Sequence, residues 1–139
     1  MSKTARYAIW VLAALAGESR NGYLRTKALA QRLGLPAPYL AKVLSILSRN
    51  GFVESVRGRS GGYRLKDEAA GMTLKSVVEI FEPEALDPLC IIGNPECAGS
   101  GCPEHRRWND LQRSFVSVME RTTIADIAQR AISSPESRG

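Results

Sequence analysis

The chain is poor in the residues that most enzyme chemistry needs. Its 139 residues include one His and three Cys, Asp and Glu are scattered, and no glycine-rich phosphate-binding motif occurs. Hydrolytic and nucleotide-using chemistry therefore has little to work with, and an enzyme is the less favoured class. Three cysteines cannot pair internally without a leftover, so a disulfide scaffold is a poor reading and a reducing, cytoplasmic compartment fits better. Long hydrophobic runs are also missing. Lys3 and Arg6 followed by AIWVLAALAG imitate a secretory leader, but the run is too short to span a membrane. It reads as a buried first helix ending near Gly17, with Tyr7, Trp10, Val11, Ala14 and Leu15 at helical spacing.

What is present describes a globular chain. Apolar residues make up 44% and charged residues 24%, close to average for folded domains, and the length allows one ordinary domain or a small domain with an appendage. The net charge of +5 hides an asymmetry. Residues 1–66 carry twelve Lys or Arg against Glu18 and Glu54, a balance of +10, whereas residues 67–139 hold seven basic and twelve acidic residues, a balance of −5. A dipolar chain of this kind fits a polyanion-binding N-terminal part joined to a part that does not touch the polyanion; on composition alone, ordinary solvated Lys and Arg fit equally well.

The N-terminal part has the pattern that polyanion binding requires. Thr26 is a good N-cap for KALAQRLGL, with Leu29 and Leu33 inward, Lys27 and Arg32 outward and Gly34 as the stop. Pro36 and Pro38 open the next helix where proline is tolerated. Leu40, Val43, Leu44 and Leu47 form its buried stripe, Tyr39, Lys42, Ser45 and Arg49 lie on the other side, and Asn50-Gly51 closes it. Helix, tight turn and helix with a basic outer face is the helix-turn-helix pattern. FVESV then alternates as a strand, RGRSGG turns and YRL returns, a hairpin from about Phe52 to Leu65. A basic hairpin in this position reads as a wing, its glycines letting backbone approach a groove while Arg57 and Arg59 meet phosphates or minor-groove acceptors. Solubilising arginines on an exposed hairpin are the blander alternative. The candidate DNA-contacting residues are Thr26, Lys27, Pro38, Tyr39, Lys42, Arg49, Arg57, Arg59 and Ser60.

Beyond Lys66 the sequence changes character. MTLKSVVEIFE predicts a short helix capped by Thr73, with Leu74, Val77, Val78 and Phe81 packing back on the winged domain. Between Pro83 and Pro103 the prolines and glycines accompany all three cysteines, so this loop cannot fold on hydrophobic burial alone. From Pro103 a long helix runs to about Thr122. Trp108, Leu111, Phe115, Val118 and Thr122 recur at spacings of three and four, the seam of a coiled-coil contact, and Met119 broadens it. A long helix projecting from a small DNA-binding domain supplies dimer symmetry for reading two half-sites; packing on its own winged domain is the other explanation. TIADIAQRAI adds a short terminal helix, and SSPESRG is a tail.

The loop carries the chemistry. In CIIGNPECAGSGCPEH six residues separate Cys90 from Cys97, four separate Cys97 from Cys102 and two separate Cys102 from His105. Three thiolates and an imidazole within sixteen residues are four potential ligands, and both zinc and an iron–sulfur cluster accept such a set. The six-residue gap mildly disfavours structural zinc.

ARYAIWVLAALA, YLAKVLSILSRNGFVESVRGRSGGYRL and CIIGNPECAGSGCPEHRRW together resemble the Rrf-type family of bacterial winged-helix transcription regulators, with its IscR-like and NsrR-like iron–sulfur branches. The resemblance runs from about Lys3 to Gln129, and the VRGxxGGYxL wing followed by three spaced cysteines is its most specific element. It implies a homodimer on operator DNA and a cluster carried by Cys90, Cys97 and Cys102. IscR-like chains take a histidine shortly after the third cysteine, where His105 stands, with Trp108 following as in that branch; this favours a two-iron two-sulfur (2Fe-2S) centre, with a four-iron cluster the alternative. NsrR-like chains recruit an N-terminal carboxylate from the partner subunit, and this sequence has no acid before Glu18. The gaps of six and four depart from the five and five usual in IscR-like chains, and Ala41 stands where an acid is often found.

The expected architecture is mainly α with a small β hairpin, a winged helix-turn-helix domain plus a long dimerisation helix. Its parts are a DNA-binding domain over residues 1–82, a cysteine-rich cluster loop over 83–104, the dimerisation helix and a short C-terminal helix over 103–132, and a tail over 133–139. The expected function is a cytoplasmic homodimeric regulator, not an enzyme, that binds double-stranded operator DNA and senses redox, iron or nitric oxide status through the cluster. No membrane association is expected. A zinc-stabilised or metal-free winged-helix regulator is the main alternative; a small thiol-redox enzyme using Cys102 and His105 is the weaker one.

Overall fold

The computed structural model describes residues 2–18, 23–58, 61–86 and 103–128, with side chains in the last stretch from Arg106 onward. Helix α1 (Lys3–Gly17) opens on Ser2, whose hydroxyl accepts the Ala5 N–H at 3.1 Å, the arrangement that satisfies a helix's first unpaired donors. Ala8, Val11, Leu12, Ala14 and Leu15 are buried, so α1 is the central post of the fold. Trp10 is half-buried and stands against Tyr7, ring centroids 5.1 Å apart.

Helix α2 (Thr26–Leu33) begins one residue earlier than its sequence suggests. Arg25 occupies the cap position because its carbonyl accepts the Leu29 N–H at 2.9 Å, which makes Thr26 the first helical residue. Gly34, at φ 69°, ends the helix in the left-handed region that glycine alone enters without strain. Helix α3 (Ala37–Arg49) carries Pro38 in its first turn and buries Leu40, Val43, Leu44 and Leu47 as the stripe predicts. At its end the Asn50 side chain donates to the Ile46 carbonyl at 2.8 Å.

The wing is an antiparallel pair, β1 (Val53–Val56) and β2 (Gly62–Leu65), in the register Val53↔Leu65 to Val56↔Gly62. A contact without any periodic signal in the sequence supports it: Leu24, between α1 and α2, pairs with Tyr63 through two backbone hydrogen bonds of 2.9 Å. The strap before α2 thus acts as a short third strand.

After a 3-10 turn at Asp67–Gly71, Thr73 caps α4 (Leu74–Phe81) by accepting the Ser76 N–H. A second 3-10 turn covers Pro83–Leu86. The long helix α5 (Pro103–Arg121) leads directly into α6 (Ile124–Ala128). This junction is stitched to the start of α4, since Leu74 N–H donates to the Thr122 carbonyl at 2.9 Å and Ile124 N–H to the Met72 carbonyl at 3.0 Å. Helix α6 lies against α1, with Ile124 fully buried in the same core as Leu12, Leu44 and Val77. The chain therefore returns to its winged head after α5, and one hydrophobic core takes residues from both ends of the sequence. Among the described residues no helix is long and apolar enough to cross a membrane.

Candidate functional site

The outer face of α3 is built by periodicity. With Leu40, Val43, Leu44 and Leu47 buried, Pro38, Ala41, Lys42, Ser45 and Arg49 are left exposed along the opposite side. Lys27 is exposed on α2 and Thr26 is half-buried at its start. Arg57 and Gly58 are exposed at the end of β1, where Gly58 has φ 118°; Arg59 and Ser60 lie outside the described residues. Small side chains at Ala41 and Ser45 flank Lys42, so the middle of α3 is flat enough to enter a groove. Ala41 is not among the candidate contacts, yet it is exposed beside Lys42, as its place outside the buried stripe dictates.

Tyr39 belongs to a different arrangement. Its hydroxyl is 2.8 Å from Thr4 Oγ1, and its ring meets Tyr7 edge-on, 6.0 Å between centroids at 86°. The side chain is half-buried and ties α3 to α1. Arg32, basic and exposed, is engaged by Glu18 at 2.8 Å. Arg64 pairs with Glu54 across the hairpin, and that carboxylate raises the guanidinium's pKa above its ordinary value.

The wing glycines serve their own chain. A Cβ on Gly62 would sit 2.4 Å from the Leu24 carbonyl oxygen, and one on Gly61 would sit 2.2 Å from the Val56 carbonyl oxygen. Both neighbours are backbone and cannot give way. Gly61 and Gly62 thus answer to the chain itself, where the turn and the strap press against the hairpin, while Gly58 stands in open space with φ 118°.

The residues predicted for a helix seam divide into two sets. Leu111 and Val118 are large and apolar yet 61% and 55% exposed. Met119 is buried at 8% in its own chain's core, and Phe115 is partly packed against that core. Thr122 is half-buried at the stitched junction, and its hydroxyl donates to the Val118 carbonyl at 2.8 Å. Trp108 is half-buried.

Cys90, Cys97 and Cys102 lie outside the described residues, as does the side chain of His105, whose backbone is in the first turn of α5. Among the described residues no three His, Cys, Asp or Glu side chains come together as a metal site. In the sequence, three thiols with one imidazole are a donor set suited to iron or zinc.

Residues 1–130 match the model of the Rrf2 family, described as an iron-dependent transcriptional regulator. The chain belongs to the Rrf2 family. It is 30% identical over 128 residues to the HTH-type transcriptional regulator IscR of Yersinia pseudotuberculosis, covering 91% of this chain and 77% of that one. Among solved structures it is similar to CymR, the global cysteine regulator of B. subtilis, with a TM-score of 0.78 and 26% identity over 95% of this chain and 98% of the other. It is also similar to T. potens IscR, with a TM-score of 0.73 and 26% identity over 95% and 88% of the two chains. This Rrf2 chain is accordingly a winged-helix DNA-binding transcriptional regulator and not an enzyme.

Proposed function

We propose that this Rrf2 regulator is a cytoplasmic homodimer whose DNA affinity is set by an iron–sulfur cluster held by Cys90, Cys97, Cys102 and His105, and that it reports redox, iron or nitric oxide status. One observation carries the reading: every cysteine and the sole histidine of the chain fall within sixteen residues that run into the first turn of α5. The family description as iron-dependent and the similarity to IscR proteins support it. A two-iron two-sulfur centre is favoured, with a four-iron one the alternative. Such a centre supplies a redox-active, oxidant-sensitive group whose loss or change of charge alters what the loop prefers.

The chain's own residues do the rest. Lys42 presents its ammonium to base edges and Pro38, Thr26, Lys27 and Arg49 line the approach from α2 and α3, while Arg57, Arg59 and Ser60 meet phosphates or the minor groove. Tyr39 holds α3 against α1 and contributes its exposed edge. Leu111 and Val118, with Trp108, Phe115, Met119 and Thr122 behind or beside them, form the α5 seam on which a second copy docks. Ligand state can change DNA affinity only if the loop binds its ligand differently in the two arrangements of the heads. The nearer second reading is a cysteine-linked regulator without a cluster, favoured by the similarity to CymR.

An anaerobic visible absorption spectrum of freshly purified protein separates them. Coloured sulfur-to-iron charge-transfer bands that vanish in Cys90→Ala, Cys97→Ala and Cys102→Ala and weaken in His105→Ala are expected. A colourless protein that still binds its operator would leave the regulator standing and remove the cluster.

A further inference from the structure

Helix α1 is capped in part by a residue from a distant stretch of the sequence. Ser2 is its N-cap, and the Ser2 hydroxyl accepts the N–H of Ala5. In a complete capping box a Glu or Gln at the position of Ala5 would reach back to the N–H of the cap residue itself. Alanine has no acceptor to send. The Ser2 N–H donates instead to Oε2 of Glu82, 80 residues away at the end of α4. A carboxylate at a helix N-terminus also meets the positive end of the helix dipole, so Glu82 supplies the missing half of the box with a favourable charge.

The turn that Glu82 closes is the one that holds α3. Thr4, the second residue of α1, has its Oγ1 2.8 Å from the Tyr39 hydroxyl, and the Tyr7 ring meets the Tyr39 ring edge-on. Tyr39 lies in the first turn of α3, next to Pro38 and two residues before Ala41, both on the exposed face. The contacts thus run without a gap from the end of α4, through the first turn of α1, to the start of α3.

We propose that Glu82 is a positioning residue for DNA binding: by closing the first turn of α1 it holds Thr4 against Tyr39, and so fixes the angle at which α3 meets the duplex. The inference rests on the reading that the outer face of α3 contacts DNA. Loss of the Glu82 acceptor loosens that turn, since the first N–H groups of a helix have no partner within it, and Tyr39 is then no longer pinned.

The test uses the full chain and a duplex that the wild-type protein selects from a random-sequence pool. Affinity is read by fluorescence anisotropy at a temperature where circular dichroism shows every variant folded. Glu82→Ala and Glu82→Asp, the second one methylene too short, should each weaken binding by about two- to tenfold, the equivalent of one net hydrogen bond. Glu82→Gln keeps an acceptor at full reach and should bind as the wild type does. Tyr39→Phe should also weaken binding, and adding it to Glu82→Asp should cost little more, because both cut one path. Equal affinity of the wild type, Glu82→Asp and Glu82→Gln overturns the inference, and so do losses that add fully in the double variant. If Glu82→Ala does not fold, the Asp, Gln and Tyr39→Phe comparison decides alone. Lys42→Ala separates the two levels of failure. Wild-type affinity in Lys42→Ala defeats the reading of the α3 face as well, whereas a weakened Lys42→Ala beside an unaffected Glu82→Asp defeats this inference only.

Discussion

Tyr39 and Gly62 show how a single residue's chemistry is settled by what it touches. Tyr39 lies in the recognition helix, where an aromatic hydroxyl could read a base edge, yet its hydroxyl is 2.8 Å from Thr4 Oγ1 and its ring rests on Tyr7. A net hydrogen bond of about 1 kcal/mol and a ring contact of similar size favour a brace over a free probe. Gly62 is a stricter case. Adding one methyl would place carbon 2.4 Å from the Leu24 oxygen, 2.7 Å from its carbonyl carbon and 2.9 Å from Arg25 nitrogen, so the strap and β2 must separate. Gly62→Ala should lose about 1–3 kcal/mol in urea unfolding, the usual cost of overpacking, and the amides of Leu24 and Tyr63 should lose protection in hydrogen exchange. An unshifted urea midpoint would show that the strap is not pressed on the wing in solution.

The elements were legible wherever burial has a period. The stripe Leu40, Val43, Leu44, Leu47 repeats at helical spacing, so α3 and its exposed face could be read directly, whereas Gly62, read as part of the turn RGRSGG, is the first residue of β2 and pairs with Val56. The Leu24–Tyr63 pairing was not legible, because a single bridged residue has no period. Nor was the return of α6 to α1, since the apolar face of TIADIAQRAI fits a core or a partner equally well and only the stitch at Thr122–Ile124 decides it. The candidate ligands were legible as residue types in a short span, but spacing alone cannot tell iron from zinc. At this scale α3 and the wing should differ in what they do to DNA. Lys42 projects from the middle of the α3 face and Arg57 from the wing. Lys42→Ala should weaken the specific site more than random sequence, by about 1–3 kcal/mol if it meets a base edge. Arg57→Ala should weaken all sequences alike and lower the salt dependence by about one unit. Fluorescence anisotropy over a salt series with specific and random duplexes reads both, and equal losses on the two duplexes for Lys42→Ala would place that side chain on the backbone.

For the whole molecule, the question is how one core and one long helix would make the proposed two-headed regulator. Helix α5 is about 29 Å long by its 19 residues at about 1.5 Å each, and it is used on two sides. Met119 and, in part, Phe115 fasten it to the head, while Leu111 and Val118 face outward at 61% and 55% exposure. Scattered exposed leucines are ordinary, but two on one helix seven residues apart occupy equivalent positions of a heptad, as a second helix in contact requires. The two sides predict opposite outcomes. Replacing Leu111 and Val118 together by Asp should yield monomers that melt close to the wild-type monomer, because the charges would enter only the contact between copies. Met119→Ala should instead leave the association intact and cost about 2–5 kcal/mol of folding stability, since it opens a cavity in the head's own core. Light scattering at micromolar concentration beside thermal unfolding distinguishes them. Should the double Asp variant remain a dimer, the copies meet elsewhere; should it unfold, the outward face of α5 is part of the head after all, and the spacing of the two heads on consecutive major grooves would need another source.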